Sequence, residues 1–405
     1  MQDRSHRRTL AGKRSSALVM AWIVAASSAG LAATAAGPAQ AAAGAADRGG
    51  SPGGAGQQVP KADVGGRRLA SHEIVVSYPA HGALRLPKVP ASAYVVADAR
   101  TGAVLAAKDA HGLYPPASTL KVLTAITMLP RLDPNATVLT SKRAASVQPN
   151  IVGLLAGHRY KVSDLFNALL LISANDAAVA LTQAAGSFAK GMALINAEAQ
   201  HLQAYDVVAK QPNGLPAAGQ VVSAYDLALI ARQALAMPAF MRYDSRLSAR
   251  FRIKKHKVVT LVNQNYLLTQ YRGGIGGKIG WTEKAGATYI GLARRNGVTL
   301  IVTILHATPL TEIHSAEKLL NWGFAMDGKV TPVGVLVPPL APPHPRTAAK
   351  KAAAHGPANS VAGAGRGSGR GFTTGAGVAA GVAVALVGSL AWFRRKTLLS
   401  RRSSG

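Results

Sequence analysis

Apolar residues recur at helical spacing through the middle of the chain, and on either side of that stretch they run together as in buried strands. Residues 92–98 (Ser-Ala-Tyr-Val-Val-Ala-Asp) read as a strand, which Ala99-Arg100-Thr101-Gly102 turns into a second over 103–107. Pro115-Pro116 restricts the chain ahead of Ala117-Ser118-Thr119-Leu120-Lys121, and an apolar run then continues to Pro130. That punctuation predicts a buried helix of about ten residues with Ser118 in its first turn. Further helices are predicted over 163–172 (capped by Ser163), 176–185 (started by Asp176 and stopped by Gly186), 187–202 and 223–236. Strands return over 277–281 and 287–294, and an Asn296-Gly297 turn leads into 298–305, a strong hairpin signal. Residues 311–326 close as a helix, and 72–78 read as one added strand. No internal repeat is visible. An early hairpin, a helical middle and late antiparallel strands predict an α+β fold, a sheet with helices packed on its faces.

The same hydropathy pattern separates the ends from the middle. Five basic side chains within 1–14, an apolar segment over 17–36 and Ala39-Gln40-Ala41 predict a secretory signal over 1–41. Arg7-Arg8 invites a twin-arginine reading, but Thr9-Leu10-Ala11 continues it poorly, which favours ordinary secretion. Residues 375–393 are uncharged, and Arg394-Arg395-Lys396 follows at once. At ~1.5 Å per residue such a run crosses a bilayer core, so 373–393 is expected to be a transmembrane anchor and 394–405 a basic cytoplasmic tail. A buried core helix is the alternative, and the abrupt cationic stop favours the membrane. Gly, Ala, Pro and polar residues make 42–86 an expected flexible lead-in, and 331–372 an expected linker, which leaves 87–330 as the folded domain.

Charge changes the picture only after it is divided. Of the formal +29, the signal carries +4 and residues 340–405 carry +10, leaving +15 on 42–339. Nucleic acid is the usual partner for such a charge, but an exported chain meets acidic wall polymers and anionic lipid instead; a solvated basic surface accounts for it equally well. The chain has no cysteine, which excludes disulfides, thiol catalysis and cysteine–metal sites.

Three stretches carry candidate chemistry. Ser118 and Lys121 lie three residues apart and so share a helix face. A hydroxyl at a helix N-terminus beside a desolvated amine suits nucleophilic catalysis, although Ser-x-x-Lys alone arises readily by chance. Ser173-Ala174-Asn175-Asp176 interrupts an apolar helix before the next begins; taken alone it is more often a capping turn than a site. Gly273-Gly274-Ile275-Gly276-Gly277-Lys278-Ile279-Gly280 is a glycine-dense approach to a strand, where a second backbone or a ligand can come close. A phosphate loop is excluded there, because position 272 is Arg and Ile279 follows the lysine.

In order, Ser118-x-x-Lys121, Ser173-x-Asn175 and Lys278-x-Gly280 resemble the motif set of the penicillin-recognising serine enzymes. The closer resemblance is to the low-molecular-mass D-alanyl-D-alanine carboxypeptidases, penicillin-binding proteins of the S11-type serine peptidase family. Flanking text agrees: Asp98-Ala99-Arg100-Thr101-Gly102 and Pro116-Ala117 before the serine, then Asn213-Gly214-Leu215, Ser223-Ala224-Tyr225-Asp226, Asn263-Gln264-Asn265 and Thr282-Glu283-Lys284-Ala285-Gly286.

The resemblance spans the expected folded domain. It implies the penicillin-binding-protein/β-lactamase-like transpeptidase fold, an antiparallel sheet with helices on its faces and a helical subdomain. It further implies that Ser118 attacks the bond between the last two D-alanines of a peptidoglycan stem peptide, that Lys121 takes its proton and that Ser173 relays a proton to the leaving group. Asn175 would bind the peptide amide, and Lys278 the second motif and the terminal carboxylate. The backbone N–H groups of Ser118 and Trp281 would form the oxyanion hole, with Gly280 and Thr282 beside them. β-Lactams are the implied inhibitors; no metal, cofactor or nucleic acid is implied.

One departure stands out: the family's third motif is usually Lys-Thr-Gly, and here Ile279 replaces the threonine. That predicts weakened or shifted carboxypeptidase activity, with Thr282 a partial substitute. No Glu-x-x-Leu-Asn-like segment supports a β-lactamase, whereas a DD-endopeptidase and an impaired wall-binding protein on the same scaffold stay open. Family members often carry a second β-rich domain; only 329–337 could belong to one here, so it is expected to be missing.

Overall fold

The structure, a computed structural model, describes residues 64–341. Its elements begin with β1 (Ile74–Val76), β2 (Ala91–Asp98), β3 (Ala103–Lys108), α1 (Lys121–Met128), β4 (Thr137–Leu139), α2 (Lys142–Ala145) and β5 (Arg159–Lys161). The helical middle holds α3 (Val162–Leu171), α4 (Asn175–Ala184), α5 (Phe188–His201), α6 (Ala224–Leu235) and α7 (Pro238–Asp244). Then come β6 (Ser248–Lys254), β7 (Lys257–Val262), α8 (Leu267–Gln270), β8 (Gly274–Thr282), β9 (Gly286–Arg295), β10 (Val298–Ala307), α9 (Glu312–Met326) and β11 (Gly334–Val335).

One seven-stranded antiparallel sheet, in the order β1-β3-β2-β10-β9-β8 with β11 also on β3, organises these elements. Its central strands are buried on both faces, so they read as continuous apolar runs and only the alternate partners reveal the period of two. Ala93, Val95 and Ala97 of β2, with Ile301 and Leu305 of β10, face a core built with Leu123 and Ile126 of α1 and Leu227 and Ile230 of α6. Tyr94 and Val96, with Leu300, Val302 and Ile304, face the opposite way onto Leu319, Leu320 and Met326 of α9. Early and late halves of the chain therefore meet in the sheet: Val95 pairs with Thr303 and Ala97 with Ile301. The turn from β9 to β10 holds Asn296 and Gly297 at φ 49° and 81°, the double left-handed geometry of a type I′ hairpin.

Several expectations need correction. Ser163 is not the cap of α3: the helix starts at Val162, straight out of β5. The amides of Val162 and Ser163, which a capping side chain would satisfy, instead donate to the carbonyls of Ala136 and Pro134. Asp176 lies in the first turn of α4 rather than before it, and its carboxylate serves a neighbouring loop. The start of the linker expected over 331–372 is instead packed on the domain, where Val333 and Leu336 are buried and β11 pairs with β3. At the other end, packing starts inside the expected lead-in, where Val64 and Leu69 are buried.

Among the described residues no single helix is long and apolar enough to cross a membrane. The signal expected over 1–41, the anchor over 373–393 and the tail over 394–405 lie outside the described residues.

Candidate active site

The nucleophile turn is placed by two close backbone approaches. Ala117–Leu120 forms a tight 3-10 turn that leads directly into α1, with Ala117 itself left-handed at φ 46°. A Cβ at Gly280 would stand 2.7 Å from the Ser118 amide nitrogen and 2.4 Å from Thr288 Oγ1, and one at Gly214 would stand 1.7 Å from the Ala117 carbonyl oxygen. Only glycine lets β8 and the 213–215 loop lie this close to the serine, which is the physical content of Lys-x-Gly and Asn-Gly in this sequence.

Beneath Ser118, Lys121 is fully buried. Its Nζ lies 2.8 Å from Ser118 Oγ, 2.7 Å from Asn175 Oδ1 and 2.6 Å from the Asn213 carbonyl oxygen. Burial pushes its pKa well below the usual lysine value, and the nearby Lys278 charge pushes the same way against Asp176. A neutral amine has two N–H donors and one lone pair. The two amide oxygens can only accept, so they take both donors, and the lone pair is left facing the one partner with a proton to give, the Ser118 hydroxyl. This is the geometry of a serine beside its general base.

The second motif sits on the connection between α3 and α4. Ser173 is held left-handed at φ 61°, and its buried Oγ has no hydrogen-bond partner among the described residues. Two non-glycine residues in this sparse conformation, Ala117 and Ser173, thus flank the nucleophile, as strained residues at functional sites do. Asn175 has both ends occupied: Oδ1 accepts from Lys121 and Nδ2 donates to the Gln148 carbonyl at 2.8 Å. Asp176 accepts from the amides of Gly153 and Leu154 at 2.8 and 2.9 Å, which ties the loop following Gln148 to the start of α4.

The third motif lies on β8, the edge strand. A cleft of about 510 Å³ opens between the motifs, with Ser118, Ser173 and Asn175 on one side and Ile279, Gly280, Trp281 and Thr282 on the other. Lys278 does not line it: the side chain is buried, and Nζ donates to the Ile279 carbonyl at 2.8 Å. Burial pulls its pKa down to about 7, opposed by Asp244. Ile279 is half-buried, packed on the core beneath α9 while facing the cleft. Thr282 lines the cleft with its Oγ1 accepting from the Ala285 amide at 3.1 Å, so its own O–H is not committed by that bond.

The decisive comparison is with the family model described as D-alanyl-D-alanine carboxypeptidase, which matches residues 81–309. The chain belongs to this S11 peptidase family. The D-alanyl-D-alanine carboxypeptidase DacB2 of Mycobacterium tuberculosis is 37% identical over 252 residues, which are 61% of this chain and 86% of that protein. DacF of Bacillus subtilis, likewise named a D-alanyl-D-alanine carboxypeptidase, is 28% identical over 58% of this chain and 62% of its own length. Among solved structures, the D-alanyl-D-alanine carboxypeptidase from Mycobacterium tuberculosis superposes with a TM-score of 0.61 at 36% identity, covering 64% of this chain and 99% of that one. A mutant of a Streptomyces DD-transpeptidase gives 0.57 at 26% identity, covering 59% and 99%. The α+β architecture is thus the DD-peptidase fold of the penicillin-binding proteins.

Sequence reasoning missed three contributors to this S11 site. Asp244, at the end of α7, is fully buried behind β8 and accepts from the Gly277 amide at 2.7 Å; burial raises its pKa to about 7. Pro238 at the first position of α7 was the available signal for that helix. The Asn213-Gly214-Leu215 stretch was visible in the sequence, but not that the Asn213 main-chain carbonyl holds Lys121, since a carbonyl leaves no side-chain signature. Glu312, the first residue of α9, also lines the cleft, and nothing in its local sequence points there.

Proposed function

We propose that this chain is a serine D-Ala-D-Ala carboxypeptidase that removes the terminal D-alanine of peptidoglycan stem peptides through an acyl-enzyme on Ser118. One observation carries the reading: a fully buried lysine whose lone pair is turned onto the serine by two fixed carbonyl acceptors. Lys121 takes the Ser118 proton as Oγ attacks, and the tetrahedral oxyanion is met by backbone N–H groups of Ser118 and Trp281 on the two closely apposed segments. Ser173, which lines the cleft and whose buried hydroxyl is uncommitted among the described residues, passes the proton to the leaving amine. Water then hydrolyses the ester. Asn175 orients Lys121, and substrate amide binding falls instead to the backbone edge of β8, with Gly280, Trp281 and Thr282 along it. Lys278 acts on Lys121 through charge from behind the strand.

The same serine chemistry implies acylation by β-lactams. With a signal over 1–41 and an anchor over 373–393, the domain works on the outer face of the cell membrane, its basic tail inside; protease accessibility of each end in intact cells tests that topology, and a cleaved tail overturns it. Ile279 supports a second reading, a DD-endopeptidase, because an apolar residue at that position does not select for a free chain end. If the site were disabled and the chain only bound the wall, Ser118 would not acylate. The test is labelling of the purified chain with a fluorescent penicillin against Ser118→Ala. Labelling confined to the wild type is expected; an unlabelled, folded wild type that also releases no D-alanine overturns the proposal.

A further inference from the structure

The basic charge of the chain is not spread evenly. Residues 246–262, which hold β6 and β7, carry Arg246, Arg250, Arg252, Lys254, Lys255 and Lys257 and no acidic residue. All six are exposed, and none forms an ion pair among the described residues. Arg252 Nη1 donates to the Lys255 carbonyl at 2.9 Å, a bond that leaves its charge uncompensated. The two strands form a hairpin sheet of their own, apart from the seven-stranded one. Its inner face buries Phe251 and Leu261 in the core, and Tyr160 Oη of β5 donates to the Ile253 carbonyl at 2.9 Å. The period of two then turns Arg250, Arg252 and Lys254 outward along β6. Thr260 and Val258 stand opposite the two arginines, and Lys257 stands opposite Lys254. Like charges facing each other across a ladder cost stability, a cost that a bound polyanion offsets. The base of the hairpin adjoins the cleft: the Asn263 amide donates to the Leu247 carbonyl at 2.9 Å, and the next residue, Gln264, lines the cleft.

We propose that the outer face of this hairpin binds an anionic polymer of the cell wall, a chain of phosphodiester groups, and so holds the wall beside the catalytic cleft. Cations at alternate positions of one strand recur about every 6.8 Å, a row that suits a linear chain of anions. A lipid surface suits it poorly. The tip of the hairpin is Lys255-His256, and the only exposed large apolar side chains of the two strands are Val258 and Val262. Neither is the bulky anchor that an acyl layer takes up. Stacking on nucleic-acid bases is no better served, because Phe251, the one Phe, Tyr or Trp of the hairpin, is buried. Polymer held on this row raises the local concentration of stem peptides on the same wall around Ser118. That consequence rests on the acyl-transfer reading above; the binding itself does not.

The experiment measures binding of the full chain to two probes over a range of salt: synthetic poly(glycerol phosphate), and vesicles of phosphatidylglycerol in phosphatidylcholine. The wild type is expected to bind the polymer more tightly than the vesicles. In the triple variant Arg250→Gln, Arg252→Gln, Lys254→Gln, polymer binding should weaken by about tenfold. The slope of log affinity against log salt should flatten by about 2, at ~0.7 for each lost phosphate contact on a single-stranded polyanion. Penicillin labelling of Ser118 should be unchanged, since none of the three residues lines the cleft. A second variant, Lys254→Gln with Lys257→Gln, removes the like-charged pair; it should raise the Tm and still weaken polymer binding. Variants that bind the polymer as the wild type does, with the same salt slope, overturn the proposal. So does a wild type that prefers the vesicles, which would make the hairpin a membrane contact. Polymer binding without Ser118 labelling leaves the proposal standing while the acyl-transfer reading falls, and labelling without polymer binding does the reverse.

Discussion

The two walls of the cleft are built to different standards. On the nucleophile wall the base and its supports are fixed, and the Ser173 hydroxyl stays uncommitted among the described residues: Lys121 has three partners within 2.8 Å, Asn175 is bonded at both ends, and Asp176 pins the adjoining loop. On the opposite wall, β8 presents an isoleucine and a half-exposed tryptophan, with an unpartnered carboxylate from α9 nearby. Fixed polar groups at the first wall pre-organise bond making, which any acyl substrate needs. The second wall meets what varies between substrates, and there the chain departs from the pattern it resembles. On the proposed reading, the first wall serves the general chemistry and the second the selectivity.

The largest effects should come from breaking the first wall. Lys121→Met keeps the length of the side chain and removes the base, so acylation of Ser118 should fall by about 10³-fold, within the range for general-base loss. It is read as the second-order rate of penicillin labelling, and a variant within tenfold of wild type would show that the lysine is not the base. Gly280→Ala tests the apposition of the walls. Its new Cβ would meet the Ser118 amide at 2.7 Å and Thr288 Oγ1 at 2.4 Å, so β8 must retreat from the oxyanion position. Acylation should drop by about 10²-fold with a loss of roughly 1–3 kcal/mol in stability, the usual scale of overpacking. Retained labelling at wild-type rate would argue against an oxyanion hole between β8 and the Ser118 turn.

The parts of the site that the sequence disclosed are those with local chemistry. Ser118 and Lys121 share a helix face by spacing, and Gly280 announces a close approach. Asn296-Gly297 announces its hairpin in the same way. What stayed hidden depends on long-range placement. Asn213 contributes a main-chain carbonyl, Asp244 reaches β8 from a helix thirty residues earlier, and Glu312 comes to the cleft because α9 packs across the sheet. The hairpin of β6 and β7 was legible but obscured by charge. Ala249, Phe251 and Ile253 alternate with Arg250, Arg252 and Lys254, and of the first three only Phe251 is fully buried. Ser163 misled for a related reason, since a preceding strand and the 134–136 loop had already settled the helix start.

A smaller effect should come from restoring the second wall. Ile279→Thr places a hydroxyl at the third motif and sacrifices part of a contact with the core beneath α9. Release of D-alanine from a substrate with a free carboxylate should rise about tenfold, toward a hundredfold at most, the worth of one hydrogen bond to a charged group. Penicillin labelling should rise in step, because the drug also bears a carboxylate. A gain in neither rate would mean that Ile279 is not what limits carboxylate recognition and that the walls do not divide as described.

The smallest effect concerns how the walls communicate through charge. Lys121 must be neutral to accept the serine proton, so the acylation rate rises with pH through its lowered pKa. Lys278 helps to lower that pKa only while it is itself protonated, which burial confines to pH values below about 7. Lys278→Met therefore removes a positive neighbour only on the acid side. There the Lys121 pKa rises, less of the amine is neutral, and acylation slows by several-fold; above pH 7 the two proteins should converge, since the wild-type Lys278 has by then lost its charge. An uncharged fluorophosphonate is the proper probe, because it gives Lys278 no carboxylate to attract. Rate–pH profiles that separate below pH 7 and merge above it would establish the electrostatic link, whereas a constant offset at every pH would mean that Lys278 acts by packing alone.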